Sequence, residues 1–150
     1  MRKKIAILGS TGSIGKSTLD IIDKDKKNFD VVLLSANKNY KKLIQQAKKF
    51  KVRNIIIKNE FLYKKVKKLL KNTKIKVFSG NVPITNIISG KLDLTMSAIV
   101  GLAGLQPTID AVKVSRTVAL ANKETIICGW SILEKLKKKY KTEILPVDSE

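Results

Sequence analysis

The segment Gly9-Ser10-Thr11-Gly12-Ser13-Ile14-Gly15 constrains the fold of this chain more than any other. It follows Lys3–Leu8, a short Ile-rich apolar run that reads as a buried strand. It opens Ser13–Asp23, where Ile14, Thr18, Leu19 and Ile22 recur at helical spacing. The spacing is G-x-x-G-x-x-G, one residue away from the G-x-G-x-x-G fingerprint of dinucleotide-binding turns. The physics of the two is shared. Glycine permits a tight turn and close backbone approach, and a helix N-terminus offers unpaired N–H groups to a diphosphate. Ser10, Thr11 and Ser13 are expected to add hydroxyl donors.

The rest of the chain alternates in the same way. Strands are predicted at Asp30–Ala36, Asn54–Ile57, Lys74–Phe78, Asp93–Ala98, Thr117–Ala121 and Glu143–Val147. Lys74–Phe78 alternates Ile75 and Val77 with lysine, which suits a place near the sheet edge. Helices are predicted at Tyr40–Phe50, with Leu43, Ile44 and Ala47 inward, and at Phe61–Leu70, with Leu62, Val66, Leu69 and Leu70 as a stripe. A short helix is expected at Asn81–Ser89 despite Pro83, another at Pro107–Val114 with its proline near the start, and a long one at Glu124–Tyr140. In that last helix Ile126, Trp130, Leu133 and Tyr140 are expected on one face, with Cys128 and Trp130 in the helix core or at its edge. Strand–helix alternation of this kind specifies a parallel sheet covered on both sides. The expectation is a single doubly wound, Rossmann-like α/β domain over residues 1–150 with about seven strands.

Composition narrows the function. Lys+Arg is 31 against 12 Asp+Glu, a formal charge of +19, which ordinarily prompts a nucleic-acid reading. Only Arg2, Arg53 and Arg116 are arginine, however, and the bidentate fork of arginine is what specific recognition leans on. The lysines fall in groups such as Lys41-Lys42 and Lys137-Lys138-Lys139, as solvated helix faces would carry them. No nucleic-acid partner is expected. The absence of histidine and the single Cys128 exclude His-based triads, His-ligated metals and intramolecular disulfides. No segment has the length of a membrane span or the pattern of a signal peptide, so a cytoplasmic location is expected.

In open parallel sheets, ligands bind beyond the carboxyl ends of the strands, and the unusual residues of this chain fall there. After the second strand comes Asn37-Lys38-Asn39, where NAD-binding domains usually place an acidic residue for the ribose. A cation and two amides favour a 2′-phosphate instead, so NADP(H) is expected over NAD(H). Ser97-Ala98-Ile99-Val100-Gly101 is small and apolar and could pack on a flat base. Lys123 stands at a helix start, where the dipole opposes a cation unless an anion lies nearby. Asp148 and Glu150, two apart, are hard oxygen donors of the kind Mg²⁺ or Mn²⁺ takes, although such a pair also suits an ordinary polar loop.

Four segments together carry a resemblance: 9–15, Ala98-Ile99-Val100-Gly101, Leu120-Ala121-Asn122-Lys123-Glu124, and Leu145-Pro146-Val147-Asp148-Ser149-Glu150. In this combination and order the chain resembles the 1-deoxy-D-xylulose 5-phosphate reductoisomerases. These enzymes rearrange a phosphorylated ketose and reduce the product with NADPH to 2-C-methyl-D-erythritol 4-phosphate, an isoprenoid precursor. The resemblance implies that Thr11, Gly12, Ser13 and Ile14 hold the diphosphate region of NADPH. It implies Asn37, Lys38 and Asn39 around the 2′-phosphate end, and Asn122 and Glu124 against the cofactor. Lys123 and Ser149 would contact the substrate, and Asp148 and Glu150 would ligate a divalent metal. It further implies a homodimer at full length. Family members commonly have glycine where this chain has Asn37, and Asn tolerates positive φ better than most residues. They are also more than twice as long, so the chain is expected to be the cofactor half of such an enzyme, inactive alone. A noncatalytic NADP-binding module is the alternative.

Overall fold

A computed structural model describes residues 1–147. Asp148, Ser149 and Glu150, which include both expected metal ligands, lie outside the described residues. Seven strands form one sheet in the order β4-β3-β2-β1-β5-β6-β7. They are β1 (Lys3–Leu8), β2 (Phe29–Ala36), β3 (Asn54–Ile57), β4 (Lys76–Ser79), β5 (Leu92–Ser97), β6 (Ser115–Leu120) and β7 (Glu143–Pro146), and every adjacent pair is parallel. The helices are α1 (Ser13–Lys24), α2 (Tyr40–Lys49), α3 (Glu60–Leu69), α4 (Leu105–Val114) and α5 (Lys123–Tyr140).

Two cores flank the sheet. On one face Ile5, Ile7, Leu34 and Ile55 pack against Leu19 and Ile22 of α1, Leu43 and Ala47 of α2, and Val66 of α3. On the other, Ala6, Leu8, Val118 and Leu120 meet Ala111 and Val112 of α4 and Leu133 of α5. Strand order therefore runs outward from β1 in both directions, with the crossing helices on opposite faces. The arrangement is the doubly wound, Rossmann-like fold expected, and its topological switch lies between β1 and β5. The β1–β2 register breaks between Ile5 and Ala6, which pair with Val31 and Leu33. Val32 is the extra residue, so Val31 and Leu33 face opposite cores although two positions apart.

Several details differ from expectation. The segment predicted helical at Asn81–Ser89 makes only one 3-10 turn, Ile84–Asn86, with the extended Pro83 before it; proline cannot continue a helix from an earlier turn. Along α5 the inward positions are Thr125, Gly129 and Leu133. Trp130 follows Gly129 and so points about 100° away, leaving it 41% exposed, and Cys128 is exposed outright rather than in the core. Val66 of α3 and Leu70, which caps its C-terminus, are buried, while Leu69 is 57% exposed. Asn37 needs no left-handed backbone, since the non-glycine residues with positive φ are Lys51 and Lys141. No helix among the described residues is long and apolar enough to cross a membrane.

Candidate functional site

The glycine turn is built at the switch point. Gly9 has φ +80°, and a Cβ there would stand 2.7 Å from the Ala98 carbonyl oxygen, so β1 and β5 can end side by side only with glycine at this position. A Cβ at Gly15 would run into the Gly9 carbonyl oxygen and Ser10 Cα. The first turn of α1 therefore lies directly on the loop that precedes it. Gly12 is the N-cap, makes no side-chain cap, and no acidic residue occupies the first turn. The positive end of α1 is thus left to whatever anion approaches it.

Ser10 does not join that array, contrary to expectation. It is fully buried, its Oγ lies 2.8 Å from Gln46 Oε1, and Gln46 Nε2 donates to the Ser10 carbonyl at 2.9 Å. The Ser10 N–H donates to the Ser35 carbonyl, and the Gly9 N–H to Ser35 Oγ at 3.0 Å. Ser10 is a brace that ties the turn to β2 and α2. Gln46 is a polar residue on the inward stripe of α2 beside Leu43 and Ala47, and that misplacement was the signal by which sequence could have found it.

A cleft of about 890 Å³ opens from this turn along the carboxyl ends of the strands. Gly9, Thr11 and Gly12 line it at β1, Ala36 and Asn37 at β2, and Ile56 and Lys58 at β3. Ala98, Ile99 and Val100 line it after β5, and Gln106 and Asp110 of α4 form part of its wall. Asp110 there accepts from Gln106 Nε2 at 3.2 Å and pairs with Lys113 at 3.3 Å. Ser97 lies beneath rather than within the cleft, buried and 2.6 Å from Thr108 Oγ1. Of the residues expected at the diphosphate, Thr11 and Gly12 line the cleft, while Ser13 and Ile14 form the first turn of α1 beside it. Asn37 lines it too. Lys38 and Asn39 follow directly, both exposed, and Asn39 caps α2 by accepting from the Lys42 N–H at 3.2 Å. Lys58, which sequence reasoning passed over, is the cleft's cation at β3. Its signal was positional, since it is the first residue past the third strand.

Asn122 holds the opposite side together. Its Oδ1 accepts from the Thr125 N–H at 3.1 Å and so caps α5. Its Nδ2 donates to the carbonyls of Ile99 and Gly101, the latter at 2.7 Å. The side chain fixes the N-terminus of α5 to the loop whose Ile99 and Val100 face the cleft. Lys123 and Glu124 are the exposed first residues of that helix. Among the described residues no group of three or more His, Cys, Asp or Glu could hold a metal ion.

The family model for 1-deoxy-D-xylulose 5-phosphate reductoisomerase matches residues 5–129. The chain belongs to this family. A reductoisomerase of Pelagibacter ubique is 53% identical over 150 residues, covering 99% of this chain and 39% of its own length. The reductoisomerase of Zymomonas mobilis in complex with NADPH superposes with a TM-score of 0.91 at 36% identity, over 100% of this chain and 40% of that one. Another reductoisomerase, in complex with NADPH, fosmidomycin and magnesium, gives 0.88 at 31% identity, over 96% of this chain and 36% of that one. The chain thus spans about two fifths of the length of the reductoisomerases it matches.

Proposed function

We propose that this chain is the NADPH-binding portion of a reductoisomerase that converts 1-deoxy-D-xylulose 5-phosphate to 2-C-methyl-D-erythritol 4-phosphate in isoprenoid precursor synthesis. The observation that carries the reading is the uncapped N-terminus of α1, held by Gly9 and Gly15 at the switch point and opening into a dinucleotide-sized cleft. The backbone amides of Thr11, Ser13 and Ile14 would receive the diphosphate, where the helix dipole favours negative charge. Gly12, whose own N–H donates to the Gly9 carbonyl at 3.2 Å, would let the diphosphate approach the backbone closely. Asn37, Lys38 and Asn39 would meet the 2′-phosphate end. Ala98, Ile99 and Val100 offer an apolar wall across from them. Asn122, which caps α5, and Glu124 would contact the cofactor, and Lys123 would contact the substrate. NADPH, when bound, supplies the hydride.

Asp148 and Glu150 are the proposed metal ligands, with Ser149 against the substrate. Their oxygens are the donors that Mg²⁺ and Mn²⁺ prefer, and the ion would polarise the substrate's oxygens. A phosphorylated ketose as substrate, a homodimer at full length and a cytoplasmic location belong to the same reading.

Titration with NADPH and NADH tests the cofactor assignment. A preference for NADPH that falls by about tenfold in Lys38→Ala is expected, the scale of a charge-assisted contact. Equal binding of the two nucleotides contradicts it. In the full-length enzyme, Asp148→Asn should abolish turnover with NADPH affinity retained; unchanged turnover would remove Asp148 from the metal site. NADPH binding without turnover in the unsubstituted full-length chain would mark a noncatalytic NADP module.

A further inference from the structure

We propose that Lys58 is a second cation for the adenosine 2′-phosphate and sets the preference for NADPH jointly with Lys38. The inference rests on the cofactor reading above and goes beyond it in naming a residue that neither motif nor resemblance selects. The cleft passes from the glycine turn at β1 across Ala36 and Asn37 at β2 to Ile56 and Lys58 at β3. A dinucleotide whose diphosphate sits on α1 lays its adenosine over the ends of β2 and β3. Lys58 lines that end of the cleft, whereas Lys38 does not.

The backbone places Lys58 there firmly. Its N–H donates to the Ala36 carbonyl at 3.0 Å, so its Cα is fixed beside the end of β2. The next N–H, that of Asn59, donates to the Asn37 carbonyl at 3.2 Å. Gly80, also in the cleft, leaves room for the stem: a Cβ at position 80 would stand 2.8 Å from Lys58 Cα and 2.9 Å from its Cγ. Charge is available too. Glu60, two residues on, accepts from Asn81 Nδ2 at 3.0 Å, and no ion pair among the described residues involves Lys58. An ammonium on a flexible four-carbon stem suits a phosphate that needs a point charge rather than a bidentate fork.

The test is fluorescence titration with NADPH and with NADH of the unsubstituted protein, Lys58→Ala and Lys58→Arg. Lys58→Ala is expected to weaken NADPH by about tenfold at low salt and to leave NADH within about twofold. Lys58→Arg, which keeps the charge, is expected to restore most of the preference. An unchanged NADPH-to-NADH ratio in Lys58→Ala overturns the role of Lys58 and leaves the cofactor reading standing. Equal weakening of both nucleotides overturns it as well, because the stem rather than the charge would then be what matters. If the unsubstituted protein binds neither nucleotide, the cofactor reading itself fails and Lys58 with it.

Discussion

Asn122 shows how a residue suited to touching a ligand can act by holding the frame around it. Its amide caps α5 with one end and ties the loop after β5 with the other. Asn122→Ala removes the cap and both donated bonds, and is expected to destabilise the chain by roughly 2–4 kcal/mol in urea denaturation. Asn122→Asp keeps the cap acceptor but sets a carboxylate against two carbonyl oxygens, so a comparable loss is expected. Losses under about 1 kcal/mol for both would show that the loop does not depend on this amide. Sequence alone revealed Asn122 as a rim residue, because it follows a strand and starts a helix. It did not reveal the contacts, since Ile99 and Gly101 lie more than twenty positions away and only the β5–β6 pairing brings them near. The same holds for Ser10, whose hydroxyl reads as a phosphate donor until Gln46 is placed beneath it.

At the scale of elements, the alternation of strands and helices was legible throughout because each strand is a compact apolar run and most helices carry one clear stripe. Failures came where that signal was thin. Asn81–Ser89 has apolar residues but no stripe, and Pro83 limits it to a single turn. Trp130 is expected on one face with Ile126 and Leu133, in the helix core or at its edge, whereas its position one step past the buried Gly129 turns it outward. Elements are also joined by charge. Asp23, in the last turn of α1, meets Lys26 at 2.5 Å and Lys49 at the end of α2 at 2.8 Å. Hydrogen bonding to these two ammonium groups holds its carboxyl below the usual value. A carboxyl whose pKa is lower when folded contributes stability above its unfolded pKa and loses it as pH falls through the folded one. Asp23→Asn should therefore lower Tm by about 1–3 °C at neutral pH, a modest effect for so exposed a cluster. The difference should shrink as pH falls and the Asp23 carboxyl takes up its proton, and be gone in strong acid, in thermal melts across pH. A difference that persists in acid would assign the effect to packing instead.

Over the whole molecule, a formal charge of +19 sets lysines against one another across the surface. Such self-repulsion opposes the compact state and is screened by salt. Raising NaCl from about 10 mM to about 500 mM is expected to raise Tm by a few degrees. A fall would mean that attractive pairs such as Asp23–Lys49 outweigh the repulsion. The same excess of lysine bears on the open edges of the sheet. β4 ends one side with only four residues, and the exposed Lys76 begins it. β7 ends the other side, equally short, and finishes on Pro146, which has no N–H to offer a further strand. Short rims marked by an ammonium and by an imide nitrogen make poor templates for cross-β growth. A chain so rich in isoleucine is thereby kept from fibril-like self-stacking at the two margins where its backbone lies open.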